Sequence, residues 1–361
     1  MKIIFFAFSL LILFSSCDDG DKNIVGDNDQ DVNDEDIGDT GNTGNTGNTG
    51  DTGDTASDAD KGNTGNTAND SDADTANTGN PVEMVLIPAG SFWMGSSESE
   101  LGRVSDEVLH YVELTKGFYM DTTEVTQGSF NSLMEYNPSY FLSCGDDCPV
   151  EWVSWNEALV YANARSKEEG LEECFDCTKT APYFECSLKS KFTKPQDCLG
   201  YRLPTESEWE YAVKAETDTA FYSGDITQTQ KSPLDPNLDA IGWYGGNSGA
   251  SYEGAFGCTD WYEGSINCGT QPVGGKLVNS FGLYDMSGNV WEWTMDWIGD
   301  YPAGTEESPS VDPTGVESGS NRVQRGGSWD NFAYSCRSAY RLNLTPGSRS
   351  SDLGFRLVRT K

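Results

Sequence analysis

"VEMVLIPAGSFWMGS", residues 82–96, is where the chain changes character. Apolar residues begin to alternate with others and are then interrupted by Pro88-Ala89-Gly90, the pattern of a strand, a turn and a second strand. A folded unit therefore starts near Pro81, and the residues on either side of that point read very differently.

On the N-terminal side, residues 18–80 hold almost no large apolar side chain and include the three-residue repeat "GNTGNTGNTGDTGDT" at 41–55. Seventeen acidic residues face two lysines there, a net charge of −15, so this stretch cannot collapse into a core and reads as a solvated acidic tether. Before it, Met1-Lys2 and the apolar run "IIFFAFSLLILF" form an export signal too short to span a bilayer comfortably. Ser15 and Ser16 ahead of Cys17 resemble a bacterial lipoprotein box, in which the cysteine becomes the lipid-accepting first residue after cleavage. Residues 1–17 are thus expected to be a signal peptide ending at lipidated Cys17, placing the protein in the cell envelope, outside the cytoplasm and anchored to a membrane.

On the C-terminal side, residues 81–361 carry −21 of the chain's −35. That field repels phosphates, so nucleic acid is not an expected partner. Three amphipathic helices stand out. "TQGSFNSLM" (126–134) has Thr126 as its cap and Phe130, Leu133 and Met134 on one face; "SWNEALVYANARSKEEG" (154–170) opens on a Ser154/Glu157 capping box and stops at Gly170; "TESEWEYAVKA" (205–215) repeats the box with Thr205 and Glu208. The remainder is short strands and long loops rich in Gly, Trp and Tyr, which need hydrogen-bonded tryptophans, disulfides or metals to stay ordered. An irregular α+β domain follows.

Nine cysteines remain besides Cys17. In an oxidising compartment the local groups predict disulfides Cys144 with Cys148 and Cys258 with Cys268. Cys174, Cys177, Cys186 and Cys198 staple a Cys-rich insertion at 171–199, with three connectivities open and a four-thiolate zinc site as the competing arrangement. Cys336 is left over.

"MVLIPAGSFWMGS" (84–96), "FYMDTTEVTQGSF" (118–130), "CPVEWVSWNEALVYAN" (148–163), "YRLPTESEWEYAVKA" (201–215), "NSFGLYDMSGNVWEW" (279–293), "RVQRGGSW" (322–329) and "LGFRLVR" (353–359) occur in this order. Together they resemble the formylglycine-generating enzyme, or sulfatase-modifying factor, family. The resemblance implies that family's irregular fold, related to the C-type lectin fold, low in regular secondary structure and supported by calcium. It implies that "DMSGNVWE" wraps a calcium ion through the carboxylates of Asp285 and Glu292 and the backbone carbonyls of Gly288 and Val290. Oxygen donors alternating along a tight glycine-containing loop suit such a hard cation.

Active members of the family oxidise a cysteine of sulfatase precursors to formylglycine, using oxygen and a Cu(I) ion held by two cysteines. Soft Cu(I) prefers two thiolates. Counted from Ser328, the two positions fall on Asn331 and Cys336; counted back from "LGFR", the second falls on Ala333. Half of the pair is missing, so no tight copper site is expected. The resemblance also places Trp291, Ser328, Asn331, Arg341 and Asp352 in the substrate cleft, Trp291 as an apolar wall and Arg341 as a clamp for a carboxylate or carbonyl. A three-histidine iron site, as in a relative of the superfamily, cannot be assembled from the single His110. His110 itself reads as a structural strand histidine.

The expectation is therefore an exported lipoprotein whose domain has lost the copper chemistry and serves as a calcium-stabilised binding module for a peptide, protein or glycan. The rival is an oxygen-dependent oxidase centred on Cys336, turning a substrate cysteine into formylglycine. Copper binding separates the two.

Overall fold

The computed structural model describes residues 83–178, 184–258 and 267–361. The signal stretch, Cys17 and the tether lie outside the described residues, as do 179–183 of the insertion. The strand, turn and strand read at 84–94 are β1 (Met84–Ile87) and β2 (Gly90–Met94), followed by β3 (His110–Leu114) and β4 (Phe118–Asp121). Next come α1 (Gln127–Met134), α2 (Trp155–Glu168), the insertion hairpin β5 (Phe175–Thr178) and β6 (Glu185–Leu188), α3 (Glu206–Lys214) and α4 (Pro236–Ile241). The C-terminal part is β7 (Phe256–Gly257), β8 (Asn267–Cys268), β9 (Trp291–Trp297), β10 (Ser310–Val311), β11 (Arg322–Arg325), β12 (Arg341–Leu344), β13 (Leu353–Gly354) and β14 (Val358–Thr360).

Capping chemistry sets the helices. Thr126 accepts from Ser129 N, and Ser154 with Glu157 and Thr205 with Glu208 form reciprocal boxes, each satisfying backbone donors that the first turn leaves unpaired. Gly170, at φ 69°, follows the end of α2. On α2, Trp155, Ala158, Leu159 and Ala162 are buried as their spacing predicts.

α3 departs from an amphipathic helix: every residue from Glu206 to Lys214 is buried. Its charges are matched one by one. Glu206 pairs with Arg341 (2.7 Å), Glu208 with Arg202 (2.7 Å), and Glu210 with both Arg325 and Lys214. Buried charges persist only when paired in this way.

Three small sheets surround these helices. β4 lies between β1 and β14, so the domain's first and last strands share one sheet; β2, β3 and β10 form a second sheet. The third, β12-β11-β9-β13, positions the functional loops, because β9 begins where "DMSGNV" ends, β11 runs into Gly326-Gly327-Ser328, and β13 pairs in parallel with the start of β9. Indole donors tie loops to this frame as expected of the tryptophans: Trp155 to Thr294 O (2.8 Å), Trp293 to Val153 O (2.9 Å) and Trp329 to Ser351 O (3.1 Å).

The cysteines pair as Cys144–Cys148, Cys174–Cys198, Cys177–Cys186 and Cys258–Cys268. The open connectivity of the insertion is thereby resolved, and the zinc arrangement falls, because all four sulfurs are spent in two disulfides.

Candidate functional site

Gly326 and Gly327 turn the chain out of β11 at φ 99° and 74°, a left-handed conformation in which glycine carries no Cβ penalty. A Cβ on Gly327 would lie 2.5 Å from Cys336 Sγ, so the turn and the thiol are packed directly together. Cys336 is fully buried among Phe221, Leu238, Ile241 and Tyr244. Burial pushes its thiol up to about 12. The thiolate is both nucleophile and metal ligand, so this sulfur is chemically quiet. It is the free cysteine among the described residues, the other eight being disulfide-bonded. Ala333, at the alternative position, is buried in the same cluster.

Ser328, Asn331 and Asp352 do come together. Ser328 Oγ lies 2.8 Å from Asn331 Oδ1 and 3.1 Å from Asp352 Oδ2. Burial raises the Asp352 carboxyl above its ordinary range. The Ser328 hydroxyl has one proton and two acceptors in reach, Asn331 Oδ1 and Asp352 Oδ2, while Asp352 Oδ1 accepts from Ser350 Oγ. Trp291 joins through its backbone, its N–H donating to Asp352 O at 2.8 Å. Its ring is only 3% exposed and rests on Tyr340, so it is no open wall.

Arg341 is elsewhere. Its guanidinium is held by Glu206 of α3 (2.9 and 2.7 Å) and by Gly299 O, and stacks on the Tyr301 ring. With every group of its fork engaged, it is not available as a clamp; the sequence could not show that the helix "ESEWEYAVK" would turn its charges inward.

Beside the Ser328 network stands an aromatic ladder. Trp152, Tyr140, Phe256 and Trp329 stack in succession with centroids 5.0–6.0 Å apart. Tyr140, Trp152 and Phe256 remain 48%, 40% and 38% exposed. Trp152 has φ 62°, a strained conformation for a bulky residue and one that persists where the surroundings impose it. Its N–H donates to Ser350 O and its carbonyl accepts from Arg349. Glu151 accepts from the N–H groups of Tyr140 and Phe141, and burial pushes its carboxyl up to about 8. No periodicity marks these residues, since each arrives from a different loop.

A second centre lies under "DMSGNVWE". Asp285 accepts from Gly274 N (2.6 Å) through Oδ2, while its buried Oδ1 has no hydrogen-bond partner. Neither oxygen of buried Glu124 has one, nor does buried Ser287 Oγ. Burial and the Asp285 charge push Glu124 well above the carboxylate range, and burial brings Asp285 to about 6. Unpaired buried carboxyls of this kind are satisfied by a proton or by a cation. Glu292, expected as a direct ligand, is instead saturated: Arg356 and the Trp209 indole donate to its two oxygens at 2.8–2.9 Å. Gly288, at φ 92°, lets the loop press against the Trp243 backbone, and Val290 is buried behind it. Among the described residues no three His, Cys, Asp or Glu side chains converge in metal-holding geometry, so a hard ion here would rest on Asp285, Glu124, Ser287 and backbone oxygens.

Comparison with known proteins places these features in a family. The chain is 31% identical to the chaperone protein LppX of Paenibacillus barcinonensis over 77% of its own length and 90% of that protein. It is 28% identical to the formylglycine-generating enzyme of Bos taurus, covering 76% of this chain and 74% of that one. Among solved structures, Treponema denticola variable protein 1 superposes with a TM-score of 0.60 at 31% identity, covering 77% of this chain and 95% of that one. PvdO from Pseudomonas aeruginosa gives 0.53 at 25%, covering 77% and 94%. The sulfatase-modifying factor enzyme 1-like domain model matches residues 69–361, and the chain belongs to that family.

Proposed function

We propose that this chain is an exported, lipid-anchored member of the sulfatase-modifying factor family that works as a calcium-stabilised binding module and not as a copper oxidase. The observation that carries the reading is the state of Cys336, fully buried with its thiol pushed up to about 12, while the other copper position is an amide locked by Ser328. Two accessible thiolates are what Cu(I) chemistry needs, and neither is supplied.

Calcium, when bound, supplies two positive charges against Glu124 and Asp285 and leaves Glu292 to Arg356. The disulfides suit an oxidising compartment outside the cytoplasm. The ligand face is the aromatic ladder with the Ser328–Asn331–Asp352 cluster at its side: apolar ring edges give contact area, and the cluster orients polar groups. A peptide, protein or glycan fits such a face. The similarity to a protein called a chaperone favours a polypeptide.

The test supplies the chain with Cu(I), oxygen, reductant and a peptide bearing Cys-x-Pro-x-Arg, and follows thiol-to-aldehyde conversion by mass spectrometry. The peptide is expected to stay unchanged. Aldehyde formed by the native chain and absent with Cys336→Ala would replace this reading with the oxidase.

A further inference from the structure

Away from both centres, the ends of β2, β3 and β9 and the start of α3 enclose a recess of about 20 Å³, little more than one water molecule requires. Met94, Pro302, Pro313 and Val316 make its apolar wall. Its polar groups are unusual in being acceptors. His110 is 3% exposed and its Nδ1 lies 2.9 Å from Val108 O. A carbonyl only accepts, so Nδ1 carries a proton; in the neutral ring Nε2 is then a bare lone pair, and this buried Nε2 has no partner. Asp296, also 3% exposed, accepts from Glu206 N through Oδ2 (2.8 Å), leaving Oδ1 toward Gly315 on the recess wall. The donors nearby are spent: Arg341 on Glu206 and Gly299 O, and the Tyr301 hydroxyl on Glu206.

Charge points the same way. The recess is lined by Glu206, Asp296 and Asp300 against Arg341 alone. Glu208 faces Asp296 from α3 but is paired with Arg202, and Arg322 faces it from β11 with its guanidinium between the Trp155 and Trp297 rings. Asp296 is thus the surplus carboxyl, and burial followed by the Glu206 charge pushes it up to about 8.

We propose that this recess binds a protonated primary amine, its ammonium group donating to His110 Nε2 and Asp296 Oδ1 and its alkyl stem leaving through the mouth. A water-sized, acceptor-lined, net-negative recess selects a small cationic donor and excludes anions, sugars and quaternary ammonium ions. Because the ammonium needs Asp296 ionised, binding releases a proton and tightens as pH rises toward 9, while the amine itself stays charged.

The experiment titrates the full chain calorimetrically with methylammonium, with Nα-acetyl-lysine N-methylamide and with tetramethylammonium, at pH 6.5 and pH 9. Millimolar methylammonium binding that strengthens on the order of tenfold at the higher pH is expected. Tetramethylammonium, with no N–H, should not bind. If the lysine derivative also binds, the source is a protein side chain; if methylammonium alone binds, it is a free amine. Asp296→Asn keeps an acceptor for Glu206 N and should weaken binding at least tenfold and erase the pH dependence. Should that variant not fold, proton release by the native chain, read in two buffers of different ionisation enthalpy, decides alone. No methylammonium binding at pH 9, equal binding of tetramethylammonium, or no proton release would overturn the proposal.

Discussion

Cys336 is the residue on which the two functional readings divide. Sealed under Gly327, it behaves as a small apolar side chain. It should therefore resist thiol reagents in the native chain and react only on unfolding, as a timed labelling experiment with mass detection would show. Cys336→Ser puts a hydroxyl in that apolar place and should cost about 1–3 kcal/mol by urea unfolding. Glu124 makes the opposite case. Glu124→Gln removes a buried carboxyl that must take up a proton on folding, so the calcium-free protein should gain stability near neutral pH while any calcium-induced rise in melting temperature shrinks. An unchanged calcium response would take Glu124 out of the site. Of the residues that the family resemblance pointed to, Ser328, Asn331 and Asp352 lie together, and Asp285 lies beside Glu124. The resemblance could not show that Glu292 is consumed by Arg356, because that partner lies 64 residues away and the pairing exists only in the folded chain.

At the scale of elements, legibility followed local chemistry. Caps and stops are short-range, and the three helices begin at Thr126, Ser154 and Thr205, where the sequence placed them. The four-residue and ten-residue cysteine separations likewise gave the right local disulfides. Hidden were α4, a six-residue helix capped by Asp235, and the ladder of Trp152, Tyr140, Phe256 and Trp329, whose members share no period. The buried charges of α3 were hidden too, since a row of Glu and Lys reads as a solvated face. They make a graded prediction. Thr205→Ala removes one cap and should cost about 1 kcal/mol. Arg202→Ala strands Glu208, bonded at 2.7 and 2.8 Å, in the interior and should cost about 3–5 kcal/mol. Equal costs in urea unfolding would mean that the α3 network is not what holds the helix down.

For the whole molecule, the proposed calcium site ties the ion's effect to pH. Asp285, Glu124, Glu151 and Asp296 all have folded pKa values raised by burial above the unfolded range near 4. Raised acids favour the protonated fold. Their contribution is fully present below about pH 4 and is lost as pH climbs through about 6 for Asp285 and about 8 for Glu151 and Asp296. The proposed calcium site takes the ion on an ionised Glu124–Asp285 pair, so calcium stabilisation should be larger at pH 8 than at pH 5, on the order of 5–10 °C in melting temperature at saturating ion. A calcium effect that is greater at pH 5 would contradict this assignment.

The central claim is that the family's copper chemistry is absent from this chain, and copper stoichiometry tests it most directly. The disulfide-intact, calcium-loaded protein would be equilibrated with Cu(I) against a competing chelator and the retained metal counted beside the Cys336→Ala variant. The account predicts no copper held by either protein. One Cu(I) per chain, lost on replacing Cys336, would contradict it and make the buried thiol a working ligand.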